Sequence, residues 1–246
     1  MRPIGFSTGA LARGDFRAAL EFLRGSRTHA IELSALRDHE LGPLMSVVRD
    51  LDLREYTYVS LHVPSSFKSL SEGAVADALQ PCRELGIPIV VHPDVIREPS
   101  RWLLFGPLLC IENMDKRKRT GRTLSELETF FSMFPDATFC LDIAHARQVD
   151  STMTEARLML RRFGQRLRQV HMSEIDALGH HEPVSFASVL SAQSIARMIP
   201  QDVPIIIESM IRPAEIAREL EMVEHALSAP AVDNTPAEQR DWGELA

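Results

Sequence analysis

The chain alternates short, almost wholly apolar runs with longer segments in which apolar residues recur every three or four positions. The runs are Ile4–Ser7, His29–Ser34, Tyr56–His62, Ile87–His92, Leu108–Asn113, Ala137–Asp142, Leu167–Ser173 and Val203–Ser209. Runs of this length, rich in β-branched and aromatic residues, predict strands. Their lack of polar alternation predicts parallel strands covered on both faces. Helical spacing predicts the connecting segments. Asp15 caps a helix carrying Phe16, Ala19, Leu20 and Leu23, closed by Gly25. Further helices are expected over Leu41–Leu51, Ser71–Leu85 (ended by Gly86), Thr154–Phe163, Ser185–Ile199 and Pro213–Leu227. Thr123 and Glu126 form a capping box for a helix to Met133. Ile96–Phe105 predicts only a short helix around Trp102.

Eight strands alternating with about eight helices predict an α/β fold, a single (β/α)8 TIM barrel, which typically takes about 250 residues. The runner-up is a doubly wound open sheet. That fold usually carries a Gly-rich phosphate turn after its first strand, and IGFSTGALARG has no GxGxxG. Residues 1–228 read as the barrel domain. Residues 229–246, with two prolines and no apolar period, read as a flexible tail.

Composition narrows the function classes. The 246 residues are 45% hydrophobic and 25% charged, ordinary for a globular protein. No apolar run approaches the roughly 18 residues of a membrane span, and no signal peptide is evident, so the expected place is the cytoplasm with no membrane partner. Cys82, Cys110 and Cys140 form no CxxC and argue against a disulfide framework. The net charge of −7 does not favour nucleic acid as a partner, although a local basic patch leaves it open. One such patch exists: Lys116, Arg117, Lys118, Arg119 and Arg122.

The chemistry gathers at the strand ends, which in such barrels carry the active site. Those ends read Glu32, His62, His92, Glu112, Asp142, His171 and Glu208, and loop residues add His145, His180, His181 and Glu182. Residues two apart on a strand share a face, so Ser60 and His62, Val90 and His92, Cys110 and Glu112, Cys140 and Asp142, and Ile206 and Glu208 point inward together. A lone histidine or carboxylate at a strand end is most often a hydrogen-bonded structural residue. Carboxylates and imidazoles stacked in one mouth would, without cations, be repelling and desolvated charges. A divalent metal site follows, and the ligand mixture suits zinc, manganese or iron.

These residues resemble the xylose isomerase-like barrel superfamily, which includes sugar and sugar-phosphate isomerases and epimerases and the endonuclease IV phosphoesterases. The likeness runs roughly from Ile4 to Arg212. CLDIAHA, GIPIVVHP, LLCIEN, LRQVHMS, IIIES and LHVPSSF resemble strands of endonuclease IV. The resemblance implies one metal held by His62, His92 and Glu112, and a second by Glu112, Asp142, His171 and Glu208. A third would be reached by His145 and a histidine of GHHEP, with His181 favoured over His180. The third ion lacks the family's acid, because Gly179 stands where that acid would be. IGFSTGAL followed by AIELS looks more like the isomerases.

The favoured reading is therefore an isomerase or epimerase of a small, carbohydrate-like, anionic substrate, using one to three metal ions. Glu112 and Glu208 would move the proton, His145 and Glu32 would orient hydroxyls, and Lys116, Arg117 and Arg119 would grip a phosphate. The alternatives are a multinuclear phosphoesterase of the endonuclease IV type, a multinuclear non-haem iron oxidase, and a non-catalytic barrel that binds a ligand. No dinucleotide turn or strand-end lysine suggests an organic cofactor.

Overall fold

The computed structural model describes residues 2–228; the expected tail lies outside them. Eight parallel strands close into a barrel: β1 (Ile4–Ser7), β2 (Ala30–Ser34), β3 (Tyr58–His62), β4 (Ile89–Val91), β5 (Leu109–Glu112), β6 (Thr138–Asp142), β7 (Leu167–Met172) and β8 (Ile205–Ile207). Each pairs with its neighbours in sequence, and β1 closes the ring against β8. The expected (β/α)8 barrel is the fold.

The two faces of these strands differ in composition. Phe6, Ile31, Leu33, Leu61, Ile89, Val91, Ile111, Phe139, Leu141, Val170, Met172, Ile205 and Ile207 belong to the main hydrophobic cluster, packed outward against the helices. The alternate positions point into the barrel, where Val90, Cys110 and Cys140 form a small separate cluster. Gly5 sits on β1 because no side chain fits: a Cβ there would lie 1.5 Å from the Ala30 carbonyl oxygen.

Several helices differ from expectation. The segment expected at Leu41–Leu51 is Asp38–Met45, followed by turns. Pro43 lies inside it and removes an N–H from its ladder. The segment expected as Ser71–Leu85 is broken at Leu79 into Glu72–Ala78 and Gln80–Leu85, with Pro81 starting the second piece. Two helices were not foreseen, Thr8–Ala12 after β1 and Ile143–Val149 after β6. Both follow a strand directly, so no loop signal announces them. After β7, Glu174–Ile175 and His181–Glu182 form a small antiparallel hairpin over the mouth. No helix among the described residues is long and apolar enough to cross a membrane.

Candidate metal centre

The C-terminal ends of the strands enclose a cavity of about 570 Å³. The expected ligands His62, His92, Glu112, His145, His181 and Glu208 line it. Asp142 and His171 lie beneath, fully buried.

Glu112 is the hub. Its Oε2 is 3.1 Å from His62 Nε2 and 3.3 Å from His92 Nε2. Its Oε1 is 3.1 Å from His145 Nδ1 and 3.6 Å from His171 Nδ1. The two oxygens of one buried carboxylate therefore face two different sets of donors. His62, His92 and Glu112 bring ligand atoms within 4.8 Å of one another, and so do Glu112, Asp142, His171 and Glu208. A third group, Glu32, His62, His171 and Glu208, meets the same limit.

Asp142 shows how the local sequence builds this floor. It caps the helix Ile143–Val149, its Oδ1 accepting from His145 N at 2.7 Å. Its Oδ2 has no hydrogen-bond partner. Asn113 clamps the same residue to β5, accepting from Asp142 N at 2.8 Å and donating to Asp142 O at 2.9 Å. The sequence reading overlooked Asn113, although it directly follows Glu112.

The buried donor atoms fit divalent cations. Glu112 Oε1, Asp142 Oδ2 and His171 Nδ1 are buried without a hydrogen-bond partner, a costly arrangement unless something else satisfies them. Four of the five imidazoles also have one nitrogen tied down from outside. His62 Nδ1 donates to Val63 O at 2.8 Å, and His145 Nδ1 donates to Asn113 O at 2.9 Å. His181 Nδ1 meets Ser173 Oγ at 2.9 Å, and His171 Nε2 meets Glu32 Oε2 at 3.1 Å. Anchoring one ring nitrogen leaves the other to ligate, as in known metal sites.

Electrostatics agree. Burial disfavours a charged His62, but Glu112, Glu32 and Glu208 prevail and raise its pKa to about 9. Burial likewise opposes Asp142 and Glu112 at His145, whose pKa is raised to about 10. His171 is raised too, against its burial, by Cys140, Glu208, Glu32 and Glu112. His92 goes the other way, lowered because burial outweighs Glu112. Burial would raise Glu112, but His92 and His171 hold it well below the usual range. Asp142 is raised, chiefly by burial. Without a metal, protonated imidazoles supply the positive charge that the carboxylates require.

The remaining expected residues are sorted by position. His181 lines the cavity, with Nε2 3.8 Å from Glu208 Oε2, whereas His180 is exposed and turns to Asp176. His145 and His181 have ring centroids 6.1 Å apart and join no group of three ligand atoms among the described residues. Gly179 explains part of this. Its φ is +83°, and a Cβ there would lie 1.7 Å from Arg117 Cζ. A guanidinium thus passes where the resembled family places an acid. Arg117 is held by Asp115 through Nε at 2.9 Å and also donates to Leu178 O. Lys118 lines the wall, paired with Asp94 at 2.8 Å. Lys116 and Arg119 are exposed and are not part of the lining, so the expected phosphate grip does not include them. Glu32, expected to orient substrate hydroxyls, is instead fully buried below the cavity and is not among the residues that line it.

No family model and no curated protein sequence matches the chain. Solved structures do. Endonuclease IV from Thermus thermophilus superposes with a TM-score of 0.59 at 18% identity, covering 92% of this chain and 98% of that one. A xylose isomerase domain protein from Alicyclobacillus acidocaldarius gives 0.59 at 14% identity, covering 92% and 98%. A putative sugar phosphate isomerase/epimerase from Anabaena variabilis gives 0.52 at 14%, covering 90% and 88%. The fold these proteins share with the chain is the closed (β/α)8 barrel. At these identities the likeness speaks for the fold, and the site must speak for the chemistry.

Proposed function

We propose that this chain is a metal-dependent phosphoesterase acting on a small anionic ester, with two divalent ions sharing Glu112. The observation that carries this reading is the division of Glu112, with Oε2 toward His62 and His92 and Oε1 toward His171. His62, His92 and Glu112 would hold one ion; Glu112, Asp142, His171 and Glu208 would hold the other. The sequence favoured an isomerase, but a one-ion isomerase has no use for the His62–His92 pair. When bound, paired ions acidify water and neutralise phosphate oxygens.

The chain's own residues supply the rest. Arg13, Arg117 and Lys118 line the mouth and give it positive charge on an otherwise acidic protein. Arg117 keeps two N–H groups beyond those given to Asp115 and Leu178. Ser34, Ser65 and Ser66 also line the cavity and can offer hydroxyls. His181, anchored by Ser173 and partly exposed, can hand a proton from Nε2 to a leaving oxygen. The cavity volume suits a small molecule rather than a duplex.

The test is hydrolysis of p-nitrophenyl phosphate and bis(p-nitrophenyl) phosphate by protein loaded with zinc or manganese, beside an abasic-site duplex. Turnover of a small ester that disappears in His92→Ala supports the reading. No hydrolysis with any metal rejects it. An isomerase or epimerase is the second reading, because Glu112, Asp142, His171 and Glu208 already make a complete one-ion set. Retained aldose–ketose turnover in His92→Ala would favour it.

A further inference from the structure

Below the metal centre lies a polar network that the proposed chemistry does not use. Glu32 Oε2 accepts from Ser60 Oγ at 3.2 Å and from Gln169 Nε2 at 2.7 Å, and meets His171 Nε2 at 3.1 Å. Tyr58 OH donates to Gln169 Oε1 at 2.6 Å and completes the chain. Glu32, Ser60, Gln169 and His171 are all fully buried. No Lys or Arg among the described residues pairs with Glu32; its one charged partner is His171.

A buried carboxylate without a basic partner is expensive to keep. Resting on the two-ion reading, we infer that Glu32 is a positioning residue that fixes His171 as an Nδ1 ligand. His171 Nε2 faces Glu32 Oε2 at 3.1 Å, and the Gln169 amide, an N–H donor, gives its hydrogen bond to the same Glu32 oxygen, whereas Nδ1 has no hydrogen-bond partner and faces Glu208 Oε2 at 3.3 Å and Glu112 Oε1 at 3.6 Å. A ligating Nδ1 must carry the lone pair. The ring proton then sits on Nε2, where Glu32 accepts it. The other outer anchors are two carbonyls and a hydroxyl, on His62, His145 and His181. Glu32 is the sole anion among them, so His171 is the ligand whose basicity is raised most.

The experiment titrates metal-free protein with Co²⁺, reading calorimetric affinity, stoichiometry at saturation and the visible d–d spectrum. Glu32→Gln keeps the shape and removes the charge. It should take up as many ions as wild type, bind the weaker one roughly 10- to 100-fold less tightly, and show a shifted spectrum. Tyr58→Phe, which loosens only the far end of the network, should lose affinity several-fold while folding normally by circular dichroism. Wild-type affinity and spectrum in both variants would make the network merely structural and overturn the inference; if Glu32→Gln fails to fold, wild-type behaviour of Tyr58→Phe does so alone. Loss of a whole ion in Glu32→Gln would make Glu32 a ligand, which also overturns it. Wild type that binds no Co²⁺ would instead reject the metal reading itself.

Discussion

The outer and inner faces of the same eight strands follow opposite rules. The outer face carries Phe, Ile, Leu, Val and Met, closely packed under the helices. The inner face carries Glu32, Ser60, His62, Glu112, Asp142, Gln169, His171 and Glu208, nearly all fully buried. Branched apolar side chains ordinarily fill such an interior. Here the branched apolar part of that filling shrinks to Val90 and Ile206, with Cys110 and Cys140 beside Val90. Stability and chemistry are thus divided by the period of two along each strand, and substitutions on the two faces should separate cleanly.

The largest effect is expected on the inner face. Glu112→Gln removes the shared carboxylate and should release both ions. Turnover should fall by at least about 10³-fold, since each 1.4 kcal/mol is about a decade and the metals contribute several kcal/mol. Retention of both ions would break the comparison. On the outer face, Phe139 is fully buried against Phe131 and Phe163, with ring centroids 6.0 and 5.8 Å away. Phe139→Ala should cost about 3–5 kcal/mol in denaturant unfolding and leave metal stoichiometry unchanged. Loss of metal at full stability would contradict the division.

A pH series sharpens it further. His62 and His145 titrate near 9 and 10 in the metal-free fold, above the ordinary value of 6.5. Their stabilisation of metal-free protein is fully present below pH 6.5 and is lost as pH rises through 9 to 10. Metal must displace these protons, so its affinity rises over the same range. The gap in melting temperature between loaded and metal-free protein should widen from pH 6.5 to 9; a constant gap would show that the imidazoles are not ligands. The smallest effect belongs to the basic loop. Lys116→Ala and Arg119→Ala should shift stability by less than about 0.5 kcal/mol and leave KM unchanged, whereas Arg117→Ala should raise KM several-fold.

Much of this was legible because alternation tells which face a residue takes. The strand-end residues could be gathered from sequence, and Asp142 and His145 read as a pair. Depth was harder. Glu32 lies opposite Ser60, while Ser34 lies opposite His62, so Glu32 sits one inward step below the ligands. Nothing local in AIELS announces that register. Gln169 carried a usable signal, standing two before His171 on the inner face. The choice of His181 over His180 depends on a two-residue hairpin and a turn at Gly179, which apolar periodicity does not report.

Anomalous diffraction from crystals of the metal-loaded protein tests the central claim most directly. The account predicts two peaks per chain on either side of Glu112, one beside His62 and His92 and the other beside Asp142, His171 and Glu208. A single peak at the second position, with His62 and His92 unligated, would contradict it.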